Sequence, residues 1–129
     1  MALSKVEIRL HVSGVFVSKD LVVQGRKNIA WAEKQMPVLQ RIAGRFQTER
    51  PFRDVAVGIA LHVTKETACL VRTLRAGGAQ VFLTGCNPLS TQDDVVAALA
   101  LEGVVVYGHR GESKEEYYEA LDNVIFGLQ

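Results

Sequence analysis

Residues 60–68, ALHVTKETA, place five hydrogen-bonding side chains directly after an apolar run. His62 belongs to the residue type that transfers protons near neutral pH, while Thr64 and Glu66 offer a hydroxyl and a carboxylate to a polar ligand. Two interpretations fit these residue types. The segment is either the polar start of a surface helix, with Thr64 as its N-cap, or one wall of a small-molecule site. From the residues alone, capping is the more common use of such a threonine.

A second polar segment, residues 87–94, has the sequence NPLSTQDD and presents the same choice. Ser90 or Thr91 is expected to cap a following helix, and the two aspartates after them favour the positive end of that helix. Capping gives no reason for the presence of Asn87 and Gln92 in the same segment. We therefore take both as candidate binding residues.

Three short apolar runs rich in β-branched residues precede the polar segments, at residues 55–61, 79–84 and 104–107. Each is predicted to be a strand, and the first, VAVGIAL, is predicted to be buried on both faces. Helical patterns separate the runs, so the chain is predicted to form right-handed strand–helix–strand units and a parallel sheet. The predicted fold class is α/β: a three-layer Rossmann-like domain with a mainly parallel sheet flanked by helices.

This fold determines where the polar segments lie. In an open parallel sheet, ligands bind outside the carboxyl ends of the strands, and a third polar segment, GHRGES at residues 108–113, also follows a predicted strand. The first two segments are expected to line a polar site. The third, with His109 and Arg110, is predicted to be a solvated loop before a helix, at whose start Ser113 and Glu116 have capping-box spacing. The residues do not by themselves name the ligand.

The N-terminal part of the chain supplies the remaining elements. Residues 5–17 alternate apolar and polar side chains, which is typical of a strand, and the dipeptide Ser13-Gly14 is expected to turn it into a hairpin. A helical pattern is predicted to follow Gly25. Pro37 interrupts that pattern and is predicted to open a second helix.

Composition excludes several classes of function. The chain has 129 residues and a formal net charge of +1, which is typical of one globular domain and gives no reason to expect a nucleic-acid or membrane partner. Its apolar runs are too short to span a bilayer, and no secretory signal is apparent. Cys69 and Cys86 lack metal or redox spacing, so free thiols in a cytoplasmic protein are expected.

Motifs for cofactors and metals are also missing from the sequence. No two glycines are spaced as G-x-G, so there is neither a dinucleotide fingerprint nor a P-loop. No pair of histidines has ligand spacing, and we expect no metal site. The G-x-S-x-G elbow is also absent from the sequence, which argues against a serine or cysteine hydrolase.

Four segments together resemble the N-terminal part of S-adenosylhomocysteine hydrolase (adenosylhomocysteinase). They are GRKNIAWAEKQMPVL, LHVTKETACLVRTLRAGGAQV, CNPLSTQDDVVAAL and RGESKEEYY, in family order and with family-like spacing from about Val17 to Gly127. The pair L-H-x-T-x-E-T and N-P-L-S-T-Q-D-D is the most specific part of the match. The resemblance implies a cytoplasmic, homo-oligomeric enzyme that reversibly splits S-adenosylhomocysteine, its small-molecule substrate, into adenosine and homocysteine.

The resemblance also implies roles for single residues. His62 matches the family histidine near C5′, which would handle protons on the leaving sulfur or on the attacking water. Thr64 and Glu66 match residues that hydrogen-bond the adenine. Asn87 and Gln92 match the second strand-end loop, where they would line the site and support His62.

The family uses a tightly bound NAD, which oxidises the ribose 3′-hydroxyl so that homocysteine leaves by elimination. This chain has no counterpart of the NAD-binding domain or of the later residues that hold the ribose. Residues 1–16 also lack a family counterpart, so we expect an atypical N-terminal extension followed by a partial substrate-binding domain at residues 17–129. The chain alone is expected to be inactive. The alternative function is a non-catalytic remnant or interaction module with at most weak nucleoside binding.

Overall fold

The computed structural model describes residues 8–9 and 16–129. Ile8 and Val17 are paired in a short antiparallel ladder, which agrees with the predicted hairpin, although the expected turn at Ser13-Gly14 lies outside the described residues. No helix in the described part of the chain is long and apolar enough to cross a membrane. The elements, in chain order, are β1 (Ile8–Arg9), β2 (Phe16–Val17), α1 (Lys19–Lys34), α2 (Pro37–Glu49), β3 (Ala56–Ala60), α3 (Lys65–Ala76), β4 (Gln80–Thr84), α4 (Asp93–Leu101), β5 (Val105–Val106) and α5 (Lys114–Gly127).

Strands β3, β4 and β5 form a parallel sheet in that order, with Gly58 opposite Phe82 and Phe82 opposite Val105. Helices α3 and α4 are the crossovers between these strands. The three apolar runs predicted as parallel strands are thus confirmed, and Pro37 begins the second helix as expected.

The side chains of β4 show that helices cover both faces of the sheet, because successive residues of a strand point to opposite faces. Val81 and Leu83 are buried in a core shared with α1, α3 and α4. Phe82 points the other way, and its ring lies directly against Gly127 of α5. The predicted three-layer α/β architecture is confirmed.

The prediction that the run at residues 55–61 is buried on both faces is wrong. Within this run Ile59 is buried and Val57 is half-buried, whereas Ala56, Gly58 and Ala60 are exposed. Among the described strands, the sheet order places β3 at an edge, with β4 on one side only. An apolar run indicates a strand, but the position of that strand within the sheet depends on neighbours that lie far away in the chain.

Helix α1 begins before Gly25 and not after it. Ser18 is its N-cap, and the Ser18 hydroxyl accepts a hydrogen bond from the backbone N–H of Leu21. Gly25 is in the helix interior, where α1 crosses α4: a β-carbon added to Gly25 would lie 1.9 Å from the backbone oxygen of Asp94. The glycine allows the two helix backbones to touch, so it marks a helix crossing and not a helix start.

Arg72 on α3 joins the ends of α1 and α4. Its Nη1 donates to Glu33 at 2.7 Å and its Nε donates to Glu102 at 3.0 Å, with a further contact from Nη2 to Glu102. Burial alone would lower the pKa of Arg72, but the two carboxylates outweigh burial and raise it. This charged cluster fixes the three helices on one face of the sheet.

Candidate functional site

Backbone hydrogen bonds hold the carboxyl ends of β3, β4 and β5 together beyond the strands themselves. The N–H of Leu61 donates to Thr84 at 3.2 Å, that of Cys86 donates to Leu61 at 3.1 Å, and that of Tyr107 donates to Leu83 at 2.8 Å. The three polar segments therefore leave the sheet from the same side. We call this region, formed by residues 61–67, 85–92 and 107–113, the strand-end edge.

His62 is joined to the second polar segment through Ser90. The His62 Nδ1 lies 2.5 Å from Ser90 Oγ, and Ser90 Oγ donates to the backbone oxygen of Asn87 at 3.0 Å. The side chain of Asn87 is used within its own loop, where Oδ1 accepts from the backbone N–H of Leu89 at 2.9 Å. Asn87 thus reaches His62 through its backbone carbonyl and Ser90, not through its amide.

Thr64 and Gln92 both bind the first turn of α3. The Thr64 hydroxyl caps the helix by accepting from the backbone N–H of Thr67 at 3.4 Å. The Gln92 Oε1 accepts from the backbone N–H of Lys65 at 3.2 Å, and the backbone N–H of Gln92 donates to the backbone oxygen of Val63 at 3.0 Å. The capping interpretation of Thr64 is correct, and it leaves room for a ligand because a hydroxyl has two acceptor lone pairs.

The prediction that Ser90 or Thr91 caps α4 is wrong. Helix α4 begins at Asp93 with Gln92 as its N-cap, and no side chain caps it. The Ser90 hydroxyl is already engaged by the contacts described above, and the Gln92 amide is turned towards α3. The polar residues of this segment join neighbouring loops instead of closing their own helix.

Glu66 lies on the exposed side of the α3 first turn, next to Lys65. The Lys65 Nζ is 3.1 Å from Glu66 Oε1, and the ammonium also lies over the ring of Trp31. Partial burial tends to raise the pKa of Glu66, but its own backbone N–H, Lys65 and the Thr64 hydroxyl together lower it. Glu66 is therefore a carboxylate at neutral pH, which accepts hydrogen bonds and donates none.

A cleft of about 420 Å³ opens beside the strand-end edge, between α1 and the first turns of α3 and α4. It falls in the size range of small-molecule sites, about 300–1,000 Å³. Of the five candidate residues, Gln92 lines this cleft, and the other four lie outside its lining. The charged lining is mixed and consists of Lys65, Arg110, Asp93 and Asp94. The part of the chain that the structure describes contains no cluster of His, Cys, Asp and Glu that could hold a metal ion.

The third polar segment is more than a solvated loop. The backbone N–H of Arg110 donates to Asp93 Oδ1 at 2.9 Å, and that of Gly111 donates to the backbone oxygen of Pro88 at 2.9 Å. The capping box predicted for the next helix is present at its Ser113 N-cap. The third segment is thus bonded to the second along the strand-end edge.

Two buried polar side chains on the α5 side of this edge were not identified from the sequence. Glu112 is 7% exposed and Thr84 is 0% exposed, and among the described residues their side-chain oxygens have no hydrogen-bond partner. Both approach Gly108, where an added β-carbon would lie 2.9 Å from Glu112 Oε2 and 3.2 Å from Thr84 Oγ1. Burial raises the pKa of Glu112; His109 opposes this in part, and the charge of Glu116 adds to it.

Glu112 is expected to make stability depend on pH. Because the folded-state pKa is raised above the ordinary 4.5, the stabilisation is present below that value and lost as pH rises through the folded pKa. From pH about 5 to about 8, the unfolding free energy of the wild type should fall relative to that of Glu112→Gln, whose amide stays neutral. Denaturant titrations measure this, with the exposed Glu119→Gln as control. Parallel pH profiles for the wild type and Glu112→Gln would contradict the prediction.

The fold and the strand-end edge define a class of protein: a Rossmann-like α/β domain with polar side chains grouped at adjacent strand ends, which is where open parallel sheets bind ligands. A family model described as S-adenosyl-L-homocysteine hydrolase matches residues 16–128. The chain belongs to the S-adenosyl-L-homocysteine hydrolase family. The resemblance carried by the four sequence segments is confirmed.

Individual relatives agree with this assignment. An adenosylhomocysteinase from Sulfolobus acidocaldarius is 53% identical over 105 residues, which cover 81% of this chain and 25% of that protein. An S-inosyl-L-homocysteine hydrolase from Methanopyrus kandleri is 55% identical over 105 residues, which again cover 81% of this chain and 25% of that protein. An adenosylhomocysteinase from Pyrococcus abyssi is 53% identical. The chain spans about a quarter of the length of these relatives.

Proposed function

We propose that this chain supplies the nucleoside-binding wall of an enzyme that hydrolyses S-adenosylhomocysteine to adenosine and homocysteine. The observation that carries the proposal is the position of His62, Thr64 and Gln92, which lie on two adjacent strand-end segments joined by direct hydrogen bonds. His62 is the proton-transfer residue, acting on the leaving sulfur or on the attacking water. Thr64 and Glu66 bind the base, and Asn87 and Gln92 hold the wall in place.

The charge of Glu66 supports adenosine as the nucleoside, although relatives with both adenosyl and inosyl names match the chain. Since its lowered pKa keeps Glu66 ionised, it accepts hydrogen bonds only. Adenine offers an amino donor at its 6-position, whereas hypoxanthine offers an oxygen there, which a carboxylate repels. Adenosine is therefore the better partner for this wall.

The described residues at the starts of α3, α4 and α5 do not fit NAD, which the family resemblance implies for the complete enzyme. The start of α3 is already bonded by Thr64 and Gln92, and the start of α5 is closed by its capping box. The first turn of α4 carries Asp93 and Asp94, whose charges repel a pyrophosphate. In our proposal, NAD is bound by polypeptide other than this chain, and the chain alone does not turn over substrate.

Nucleoside titration of the ¹⁵N-labelled chain tests the binding proposal. Adenosine is expected to bind weakly, in roughly the millimolar range, because only one wall of the site is present. The largest shifts should fall on His62, Thr64, Glu66 and Gln92, and inosine should bind less tightly. No shift with either nucleoside, or shifts confined to another surface, would refute it.

A chimeric enzyme separates the catalytic proposal from the alternative of a non-catalytic remnant or interaction module. In this chimera the chain replaces the matching 105 residues of the Sulfolobus acidocaldarius protein. Homocysteine release, measured with a thiol reagent, is expected from the chimera and not from the isolated chain. An inactive, correctly folded chimera would favour the alternative function.

Replacing Thr64 by alanine in the chimera is expected to weaken adenosine binding by about 1–2 kcal/mol, or roughly 5- to 30-fold, because one hydrogen bond is lost. The change also removes a helix cap, which costs about 1 kcal/mol of stability. Ser113→Ala is the matched control, since the Ser113 hydroxyl caps α5 by accepting from the Glu116 N–H at 3.1 Å. Both variants should lose stability, but Thr64→Ala alone should lose affinity in calorimetry. Equal affinities would show that Thr64 is only a cap.

A further inference from the structure

We propose that Ser90 is a positioning residue that holds His62 in the tautomer protonated on Nδ1 and leaves Nε2 as the proton acceptor. Neither the fold nor the family assignment gives Ser90 this role. The proposal follows from the hydrogen-bonding capacity of three groups on the strand-end edge: the His62 ring, the Ser90 hydroxyl and the Asn87 carbonyl. The tautomer assignment rests on geometry alone, and its use in catalysis rests on the proposed function.

The Ser90 hydroxyl has one proton to donate and two lone pairs that accept. Its oxygen lies 3.0 Å from the backbone oxygen of Asn87, which can only accept, so the hydroxyl proton is directed there. The same oxygen lies 2.5 Å from His62 Nδ1. With its single proton already used, Ser90 can only accept from the ring. His62 must therefore carry its proton on Nδ1.

The opposite arrangement is disfavoured by the same atoms. If Ser90 donated its proton to an unprotonated Nδ1, its oxygen would face the Asn87 carbonyl at 3.0 Å with lone pairs on both sides. The Asn87 carbonyl is held in this position, because it also accepts from the Ser90 backbone N–H at 3.1 Å. The loop thus fixes which way the hydroxyl points, and the hydroxyl fixes the ring.

The consequence for chemistry is that, in the neutral ring, the lone pair lies on Nε2, where it can take a proton. In the other tautomer, Nε2 carries the proton and the ring cannot act as a base at that atom. Asn87 participates through its backbone oxygen, which explains how a residue with its side chain turned away still supports His62.

The tautomer is measured on the isolated ¹⁵N-labelled chain by long-range ¹H–¹⁵N correlation of the histidine rings. The pH is set at about 8.5, well above the ordinary histidine pKa of about 6.5, so that neutral rings dominate. We expect His62 with its proton on Nδ1 in the wild type, a switch to Nε2 in Ser90→Ala, and retention of Nδ1 in Ser90→Thr, which keeps the hydroxyl. His62→Gln assigns the signals.

His109 is an internal control, because its Nδ1 lies 3.0 Å from the backbone oxygen of Arg110 and its Nε2 faces Glu116, so that neither ring nitrogen depends on Ser90. Its signals should stay unchanged in Ser90→Ala, which also reports that the variant is folded. A wild-type His62 protonated on Nε2, or a His62 tautomer unaffected by Ser90→Ala, would overturn the proposal. Loss of adenosine binding would contradict the proposed function but would leave the tautomer assignment unaffected, so the two proposals are tested separately.

Discussion

Replacing Gly25 by alanine is expected to lower the unfolding free energy by about 3 kcal/mol or more, at the upper end of the range for overpacked cores. The new β-carbon would lie 1.9 Å from the backbone oxygen of Asp94, 2.6 Å from its carbonyl carbon and 3.1 Å from the Ala98 side chain. Backbone atoms cannot relieve such a clash by changing rotamer, as a flexible side chain can. Helices α1 and α4 would have to separate, and the buried residues Ile29 and Leu99 would lose part of their packing.

Gly44→Ala is the matched control for this prediction, because Gly44 lies inside α2 and a β-carbon there would meet nothing within 4 Å. Alanine is favoured over glycine in a helix interior by roughly 0.5–1 kcal/mol, so this variant should be more stable than the wild type. Chemical denaturation followed by circular dichroism measures both. A Gly25→Ala variant as stable as the wild type would show that the two helices separate without penalty.

Replacing His62 by alanine in the chimera is expected to lower kcat about 100-fold or more, because the group that moves the proton is removed. The adenosine affinity should change much less, since the base is bound by Thr64 and Glu66. Steady-state kinetics of homocysteine release measure kcat, and calorimetry measures affinity. His62→Ala should thus lower kcat and largely keep the adenosine affinity, whereas Thr64→Ala should mainly lower the affinity.

His109→Ala is the control for the kinetic experiment. His109 also lies on the strand-end edge, but its ring nitrogens face Glu116 of α5 at 3.7 Å and the backbone oxygen of Arg110 at 3.0 Å. Its removal should change kcat by no more than about twofold, which is far smaller than the loss of about 10²-fold expected when a proton-transfer residue is removed. Equal losses in His62→Ala and His109→Ala would mean that the loops, and not the imidazole of His62, limit the reaction.

The elements of this fold could be predicted where local signals were strong. The parallel strands followed from apolar runs, and Pro37 and the Ser113 capping box marked true helix starts. The edge position of β3 and the role of Gly25 could not be predicted in this way. Both depend on contacts between residues far apart in sequence, such as Gly25 against Asp94. A glycine looks the same in a sequence whether it begins a helix or allows two helices to touch.

The candidate wall shows a similar limit. The residue types after the strands indicated a polar site, and parallel pairing explains why they lie together. The partner of each side chain was not predictable: Ser90 was expected to cap a helix but contacts His62, and Gln92 reaches the start of α3. One further signal was present in the sequence. The alternation along β4 that turns Phe82 towards α5 also places Thr84 there, beside Glu112.

The backbone hydrogen bonds that continue the sheet past its strands have a thermodynamic consequence for any ligand. Leu61, Cys86 and Tyr107 are fixed as part of the sheet when the chain folds. Ordering a flexible backbone costs about 1–2 kcal/mol of conformational entropy per residue, and here that loss is complete before a ligand arrives. Binding to this wall then carries no entropic penalty for ordering these three residues, and contacts and desolvation contribute the larger part. Differences in affinity among nucleosides should accordingly reflect the contacts that each base makes with the wall and the desolvation of the groups that meet there.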